Sequence, residues 1–142
     1  MKRSHGRRHR GREVALRALF EVESSTRSIS EVIDYQVTDF AIPLDVAEFG
    51  RSLANGTWDA HQQLDDALQG ASDHWALADI GKVERAVLRL AAFELLVSDE
   101  TPRGVVIDEA VDLAKRYAGD QAGSFVNGVL TNVTSNEVPH GQ

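Results

Sequence analysis

Apolar side chains recur every three or four residues along most of the chain, a spacing that places them on one face of a helix. No two segments show the alternation that a strand pair requires. Residues 104–107 pass for a strand on their own, but a helical pattern continues through residue 115. The pattern predicts helices over residues 10–24, 28–40 (with Ser28 or Ser30 as N-cap), 43–69, 82–98, 102–117 and 124–133, and a short helix near residues 75–80.

The strongest helical segment lies between Lys82 and Ser98. From Ala86 to Val97 only Arg89 and Glu94 are not apolar. A helix that is apolar nearly all round is buried on most of its sides. This segment is therefore expected to be the central helix of its bundle.

The stretch Gly70–Asp73 is the best internal boundary, because it divides the chain into near-equal halves that each have enough helical pattern for about three helices. The expected fold is all-α, with about seven helices in two packed bundles of three or four helices each. We expect one domain over residues 1–142. It comprises a flexible basic arm (residues 1–9), a first helical subdomain (residues 10–70) and a second helical subdomain (residues 71–136).

Composition narrows the classes of protein further. The chain has 142 residues and no cysteine, which excludes disulfides, thiolate metal sites and a cysteine nucleophile. No apolar run approaches the roughly 18 residues that span a bilayer. The basic N-terminus is not followed by an apolar segment, so it does not resemble a secretory signal. We therefore expect a cytoplasmic protein with no membrane contact.

Charge is distributed unevenly. The formal net charge is −7, yet the first 12 residues contain six basic side chains and no acidic one. Such an arm indicates a polyanionic partner at one end of an otherwise acidic protein. The alternative, a tail that only improves solubility, is equally compatible with composition alone.

The position of the arginines favours the polyanion. Arg8, Arg10 and Arg12 lead directly into the predicted helix that begins near Glu13. Cations at a helix N-terminus oppose the macrodipole by roughly 0.3–1 kcal/mol each. The placement is explained if an anion binds there, where free backbone N–H groups point outward.

Patterns that carry catalysis are absent from the sequence. His5 and His9 have the i,i+4 spacing of some metal pairs, but they lie among six cations that would repel a metal. The glycine-rich signatures of dinucleotide and phosphate-loop sites do not occur. We therefore predict no enzyme, no catalytic residue, no metal ligand and no cofactor.

Four segments, in this order, resemble the NusB family of transcription antitermination factors. They are the arginine-rich RRHRGREVALRALF of residues 7–20, VERAVLRLAAFELL of residues 83–96, VIDEAVDLAK of residues 106–115 and SFVNGVL of residues 124–130. The resemblance covers about residues 7–133, although residues 25–71 match by helical pattern only.

The resemblance implies two pseudo-repeated helical bundles and binding to the boxA element of ribosomal RNA leader transcripts. It also implies a complex with NusE, a small-subunit ribosomal protein, within the antitermination complex of RNA polymerase. Some members of the family form homodimers, so the oligomeric state stays open. The alternative is a helical protein-interaction module, or an accessory of an RNA methyltransferase, without specific RNA binding.

Site residues follow from the same resemblance. It implies RNA contacts by Arg8, Arg10, Arg12 and Phe125, to which the basic arm adds Lys2, Arg3 and Arg7. It implies partner contacts by Glu84 and Phe20. From spacing alone, Phe125 is more simply a core aromatic residue, and Glu84 is a surface carboxylate that pairs with Lys82 or Arg85.

Two segments depart from the family pattern. The family has an arginine shortly after the tryptophan, and Trp75–Ile80 has none. Residues 119–123 are rich in glycine where the family is more polar, and we expect Gly119 and Gly123 to bracket a loop there.

Overall fold

The computed structural model describes the backbone of residues 2–72 and 74–133, and the side chains of those residues from Gly6 onward. These residues form seven α-helices and no β-strand, which confirms the predicted all-α fold. None of the helices in these ranges has the length and hydropathy to cross a membrane. The helices are α1 (Lys2–Val22), α2 (Ile29–Asp39), α3 (Leu44–Asp59), α4 (His61–Gly70), α5 (Lys82–Phe93), α6 (Arg103–Ala118) and α7 (Asp120–Asn132).

The chain divides into two compact units, Met1–Asp59 and Ala60–Gln142. The boundary therefore falls about ten residues before the predicted one at Gly70, while the interpretation as one domain stays a prediction. The prediction of a single helix over residues 43–69 was wrong, because the chain leaves helical geometry at Ala60 (φ −99°, ψ 8°). This break lets α3 and α4 each bury an apolar face in its own unit.

The first unit consists of α1, α2 and α3, which all contact one another. Helix α2 begins as the sequence predicts. The Ser28 hydroxyl oxygen accepts the Glu31 N–H at 3.1 Å, and the Ser28 N–H donates to Glu31 Oε1 at 3.0 Å. This reciprocal capping box satisfies two N–H groups that the helix itself leaves free, and a cap of this kind stabilises a helix by about 1 kcal/mol.

Helices α1 and α3 approach closely where Gly11 meets Gly50. A Cβ atom on Gly50 would lie 2.9 Å from the Gly11 carbonyl oxygen and 2.9 Å from Cγ1 of Val14. Alanines at helical spacing from these glycines are also buried, so both helices present small side chains to the core: Ala15 and Ala18 on α1, and Ala47 and Ala54 on α3. The crossing therefore requires glycine at position 50.

The basic segment is helical rather than a flexible arm over its described residues. Helix α1 begins at Lys2, so the predicted helix start at Arg10 was wrong. The reason lies in α3. Arg7 forms an ion pair with Asp45, and the guanidinium carbon of Arg8 lies 4.5 Å from the ring centroid of Phe49. The contact of Arg8 with Phe49 of α3 supports the early part of α1, and no local sequence pattern reveals it.

The second unit is organised around α5, which contacts α4, α6 and α7. The two charged residues of the apolar run are both buried, Arg89 in α5 at 8% exposure and Glu94 just after the helix at 4%. Arg89 binds Asp65 of α4 with both ends of its guanidinium, from Nε to Oδ1 at 2.7 Å and from Nη2 to Oδ2 at 2.9 Å. The predicted central helix is confirmed, and this bidentate pair shows how it tolerates a buried charge.

A π-helical turn, Glu94–Ser98, continues α5 to the predicted helix end. The following residue, Asp99, adopts a left-handed conformation (φ 52°), and its N–H donates to the Glu94 carbonyl oxygen at 3.0 Å. Short polar side chains such as aspartate tolerate this conformation better than most residues.

Helices α6 and α7 are joined by Gly119 alone, which has a positive φ of 99°. The predicted loop between Gly119 and Gly123 was therefore wrong, and the last helix begins at Asp120 rather than at Ser124. Gly123 lies inside α7, where a Cβ atom would lie 2.5 Å from Cγ of Lys115. Its role is the close packing of α7 against a side chain of α6.

The end of α7 is held by a residue of α6. Nη2 of Arg103 donates to the carbonyl oxygens of Leu130 at 2.8 Å and Val133 at 2.7 Å, with a longer contact of 3.3 Å to Thr131. The last carbonyl groups of a helix lack partners within it, and a cation also complements the negative end of the helix dipole. Arg103 therefore fixes the C-terminal end of α7.

The glycine crossing gives a direct stability test. Gly50→Ala should destabilise the protein by about 1–2 kcal/mol, because the clash with the Gly11 backbone exceeds the roughly 1 kcal/mol gained in helix propensity. Gly128→Ala is the matched control, since a Cβ atom there meets no atom within 4 Å. It should stabilise α7 by up to about 1 kcal/mol. Urea unfolding measures both values, and equal shifts of the two variants would contradict the crossing.

Candidate nucleic-acid interface

The predicted phosphate-binding arginines lie on α1 in different environments. Arg7, Arg8 and Arg10 are exposed, whereas Arg12 is buried with 3% exposure. The side chains of Lys2 and Arg3 lie outside the described residues. The surface that we call the arginine face therefore consists of Arg7, Arg8 and Arg10, and Arg12 lies beneath it.

A phenylalanine of α3 organises two of these arginines. The guanidinium carbons of Arg8 and Arg12 lie 4.5 Å and 5.6 Å from the centroid of the Phe49 ring. Gly11 leaves room for the ring, since a Cβ atom there would lie 2.5 Å from Cδ2 of Phe49. A cation over an aromatic face is stabilised by the ring quadrupole, by about 0.5–2 kcal/mol. Phe49 thus restricts the position of Arg8 while leaving its side chain exposed.

The remaining two arginines differ in their partners. Arg7 forms an ion pair with Asp45, and the two side chains are 60% and 51% exposed. Exposed pairs of this kind contribute little to stability, so an incoming anion can displace the carboxylate. Arg10 is exposed, and no ion pair or hydrogen bond joins it to another described residue. No carboxylate of the described residues therefore competes with an incoming anion for Arg10.

The predicted anion site at a helix start was wrong. Because α1 begins at Lys2, Arg8, Arg10 and Arg12 lie beyond its first turn. The macrodipole acts mainly within the first and last turns of a helix, and backbone N–H groups past the first turn bond within the helix. The arginines can bind an anion only through their own side chains.

Phe125 lies on α7 in the second unit and is half-buried. Its ring meets the ring of Trp75 in a T-shaped contact, with centroids 5.5 Å apart and an interplanar angle of 69°. The neighbouring Val126 is fully buried, so Phe125 occupies the edge of the apolar face of α7 rather than its centre. The prediction from spacing that Phe125 is a core aromatic residue therefore describes only part of its environment.

The two candidate partner-binding residues belong to separate units. Phe20 lies on α1 with 40% exposure. Its neighbour Glu21 accepts hydrogen bonds from the Tyr35 hydroxyl and, at 3.0 Å, from Nε2 of Gln36. The hydrogen bond to Glu21 raises the pKa of Tyr35. The end of α1 is thus tied to α2, and Phe20 projects from a fixed segment.

Glu84 lies in the first turn of α5 and is half-buried. A Cβ atom on Gly81 would collide with its carboxylate, which therefore lies over the start of the helix. Arg85, one of the two alternative pairing partners, donates to the carbonyl oxygens of Leu77 and Ile80. A carboxylate at a helix N-terminus is favourably placed in the helix dipole.

Two residues of these sites are not evident from the sequence. The ring of Phe49 lies against Arg8, and the ring of Trp75 contacts Phe125, but each is far from its partner along the chain. The only local signal for an aromatic partner such as Phe49 is the spacing of Arg8, Gly11 and Arg12, which places the three residues on one face of α1. No three His, Asp or Glu side chains within the described ranges gather as metal ligands.

Comparison with known proteins places these features in a family. The family model of the NusB family matches residues 9–135. The transcription antitermination protein NusB of Chloroflexus aggregans (strain MD-66 / DSM 9485) is 42% identical over 130 residues, which cover 90% of this chain and 87% of that protein.

Solved structures of NusB proteins are also similar to this chain. T. maritima NusB superposes with a TM-score of 0.82 at 32% identity, and the match covers 93% of each chain. A chain from a crystal structure of antitermination factors NusB and NusE in complex with dsRNA gives a TM-score of 0.82 at 28% identity, over 88% of this chain and 93% of that chain. The fold and the arginine-rich first helix therefore define an all-α protein of the transcription antitermination class. The chain belongs to the NusB family.

The different environments of the arginines predict different effects on stability. Arg12→Ala should lower the free energy of unfolding by about 1–3 kcal/mol, because it removes a buried side chain that lies over Phe49. Arg10→Ala is the matched control on the same helix and should change it by less than about 0.5 kcal/mol. Urea denaturation followed by circular dichroism distinguishes the two, and an unchanged midpoint for Arg12→Ala would contradict its structural role.

Proposed function

We propose that this chain is a transcription antitermination factor that binds boxA-type RNA of ribosomal RNA leader transcripts. It acts with the ribosomal protein NusE in the antitermination complex of RNA polymerase, in the cytoplasm. The observation that carries the proposal is the 42% identity to a transcription antitermination protein along 90% of this chain. The arginine face supplies the matching chemistry.

The arginine face suits a phosphate backbone. A guanidinium group is permanently charged, donates two parallel hydrogen bonds to a phosphate and stacks on planar groups. Arg10 is open to a phosphate, and Arg8 is already restricted by Phe49, so less side-chain freedom is lost when it binds. Arg12 contributes indirectly, because its guanidinium carbon lies 5.6 Å from the centroid of the same Phe49 ring.

Phe125 complements these charges with a stacking surface. Single-stranded RNA is recognised by cationic grooves together with aromatic rings on which bases stack, and each stacked base contributes about 1–3 kcal/mol. The half-buried ring of Phe125 has a part that solvent reaches and that a base can cover. The side chains of Lys2, Arg3 and Arg7 complete the proposed set of RNA contacts.

The proposed partner surface uses Glu84 and Phe20. A ribosomal protein is typically basic, and a carboxylate such as Glu84 complements it electrostatically. Phe20 offers an exposed aromatic side chain, a residue type enriched at protein interfaces. The solved complex of NusB and NusE, to which this chain is structurally similar, supports a partner of this kind.

Salt-dependent RNA titration tests the RNA-binding part. Arg8→Ala and Arg10→Ala should each weaken binding of a fluorescent boxA RNA and reduce the log–log salt slope by about 0.7, the value for one lost phosphate contact on a single strand. Arg116→Ala is the matched control, since Arg116 is an exposed arginine of α6 in the second unit. Its slope and affinity should equal those of the unsubstituted chain.

The same titration includes a scrambled single strand and a double-stranded RNA, each with and without NusE. Preferential binding of boxA RNA in the presence of NusE is expected. If all three RNAs bind equally weakly in both conditions, the chain is a protein-interaction module and the proposed RNA-binding function is wrong.

A charge reversal tests the partner surface. Glu84→Lys should weaken the affinity for NusE at least about tenfold, because like charges then meet a basic protein, and should leave RNA binding by the free chain unchanged. Asp108→Lys, which places the same change at an exposed position of α6, is the control. Calorimetric titration with NusE measures both, and equal affinities for the two variants would refute the placement of Glu84.

A further inference from the structure

Trp75 lies outside every helix, yet side chains bind both of its backbone polar groups. Its carbonyl oxygen accepts hydrogen bonds from Nε2 of Gln69 at 2.7 Å and from the Ser72 hydroxyl at 2.8 Å. Its N–H donates to the Ser72 hydroxyl oxygen at 3.1 Å. The backbone of one residue in an irregular segment is therefore fixed from two directions.

The segment that follows Trp75 is held in the same way. The Leu77 N–H donates to Oε1 of Gln69 at 2.8 Å, so both ends of one amide side chain bind this segment. Nη1 of Arg85 donates to the carbonyl oxygens of Leu77 at 3.1 Å and Ile80 at 2.9 Å. Such contacts define the direction in which the Trp75 side chain leaves the backbone.

The Trp75 side chain contacts the ring of Phe125. The T-shaped contact, with centroids 5.5 Å apart, leaves each ring at least one face that the other ring does not cover. Both residues are only half-buried, so the pair is not enclosed in the core.

The helix that carries Phe125, the other member of the pair, is also held in place by contacts with α6. Arg103 binds the terminal carbonyl groups of α7, and Gly123 allows that helix to pack closely on Lys115 of α6. The helix that carries Phe125 is therefore held against α6 on both sides of that residue, which leaves its ring mainly the freedom of the side-chain torsions. The Trp75 ring restricts those torsions.

We propose that Trp75 is a positioning residue, which holds the ring of Phe125 in the orientation that stacks on an RNA base. The inference rests on the proposed RNA-binding function. A ring that is oriented before RNA binds loses less conformational freedom in the complex, and this difference strengthens binding. Trp75 acts through Phe125 and need not touch the RNA itself.

A double-mutant cycle tests this role in the full chain with NusE and single-stranded boxA RNA. Phe125→Leu should weaken RNA binding about 5- to 150-fold, the range expected for one stacked base. Trp75→Leu should weaken it about 2- to 10-fold, as expected for the loss of one edge-to-face contact. If Trp75 acts through Phe125, Trp75→Leu adds no further loss in the Phe125→Leu background. Independent, multiplying losses would overturn the inference.

Two control variants separate positioning from general packing. Trp58→Leu makes the same substitution at the other tryptophan, on α3 of the first unit, and should leave RNA affinity unchanged. Trp75→Phe keeps an aromatic edge and should retain affinity within about twofold. If Trp75→Phe loses as much affinity as Trp75→Leu, an aromatic contact with Phe125 is not what matters and the inference fails.

A spectroscopic measurement covers the case in which Trp75→Leu does not fold. In a Trp58→Phe background, Trp75 is the only tryptophan. Its fluorescence should change when boxA RNA covers the adjacent Phe125, and unchanged emission at saturating RNA would overturn the inference. Failure of the proposed function is distinguishable, because the unsubstituted chain would then not bind boxA RNA at all.

Discussion

The contact between α1 and α3 at Gly11 and Gly50 is the constraint on which the cationic surface depends. Two side chains are missing at the crossing, so the backbones approach until a Cβ atom at Gly50 would touch a carbonyl oxygen. Only at this separation can Phe49 lie against α1 with Arg8 and Arg12 over its ring. The positive surface is therefore a product of small residues in the core, and its geometry is set before any ligand binds.

The second unit uses arginine differently. In the first unit Arg8 and Arg12 lie over an aromatic ring. In the second unit two arginines bind carbonyl oxygens where regular helix begins or ends, and a third binds a carboxylate between two helices. Arg85 holds the irregular segment before α5, Arg103 holds the end of α7, and Arg89 joins α4 to α5 through Asp65. A planar fork of five donors suits both tasks, and a lysine would replace it poorly.

The sequence correctly predicted the helices whose ends and packing depend on residues that are close together along the chain. The N-cap serine predicted for α2 (Ser28 or Ser30) and the apolar run of α5 gave correct helices, because the residues that stabilise them are near in sequence. The start of α1, the burial of Arg12 and the role of Gly123 could not be predicted. Each depends on a side chain from another helix, and a single sequence carries no record of such pairs. The resemblance to a family identified the candidate residues, but it did not reveal the aromatic neighbours that position them.

The exposed ion pair between Arg7 and Asp45 has a thermodynamic consequence for the proposed complex. An RNA phosphate that binds Arg7 exchanges one anion for another, and the released carboxylate attracts a cation from solution in its place. The net release of ions at this position is therefore smaller than at Arg10, which binds no described carboxylate. Two neighbouring arginines on one helix would thus respond unequally to ionic strength, so that the surface keeps part of its attraction for RNA when salt rises.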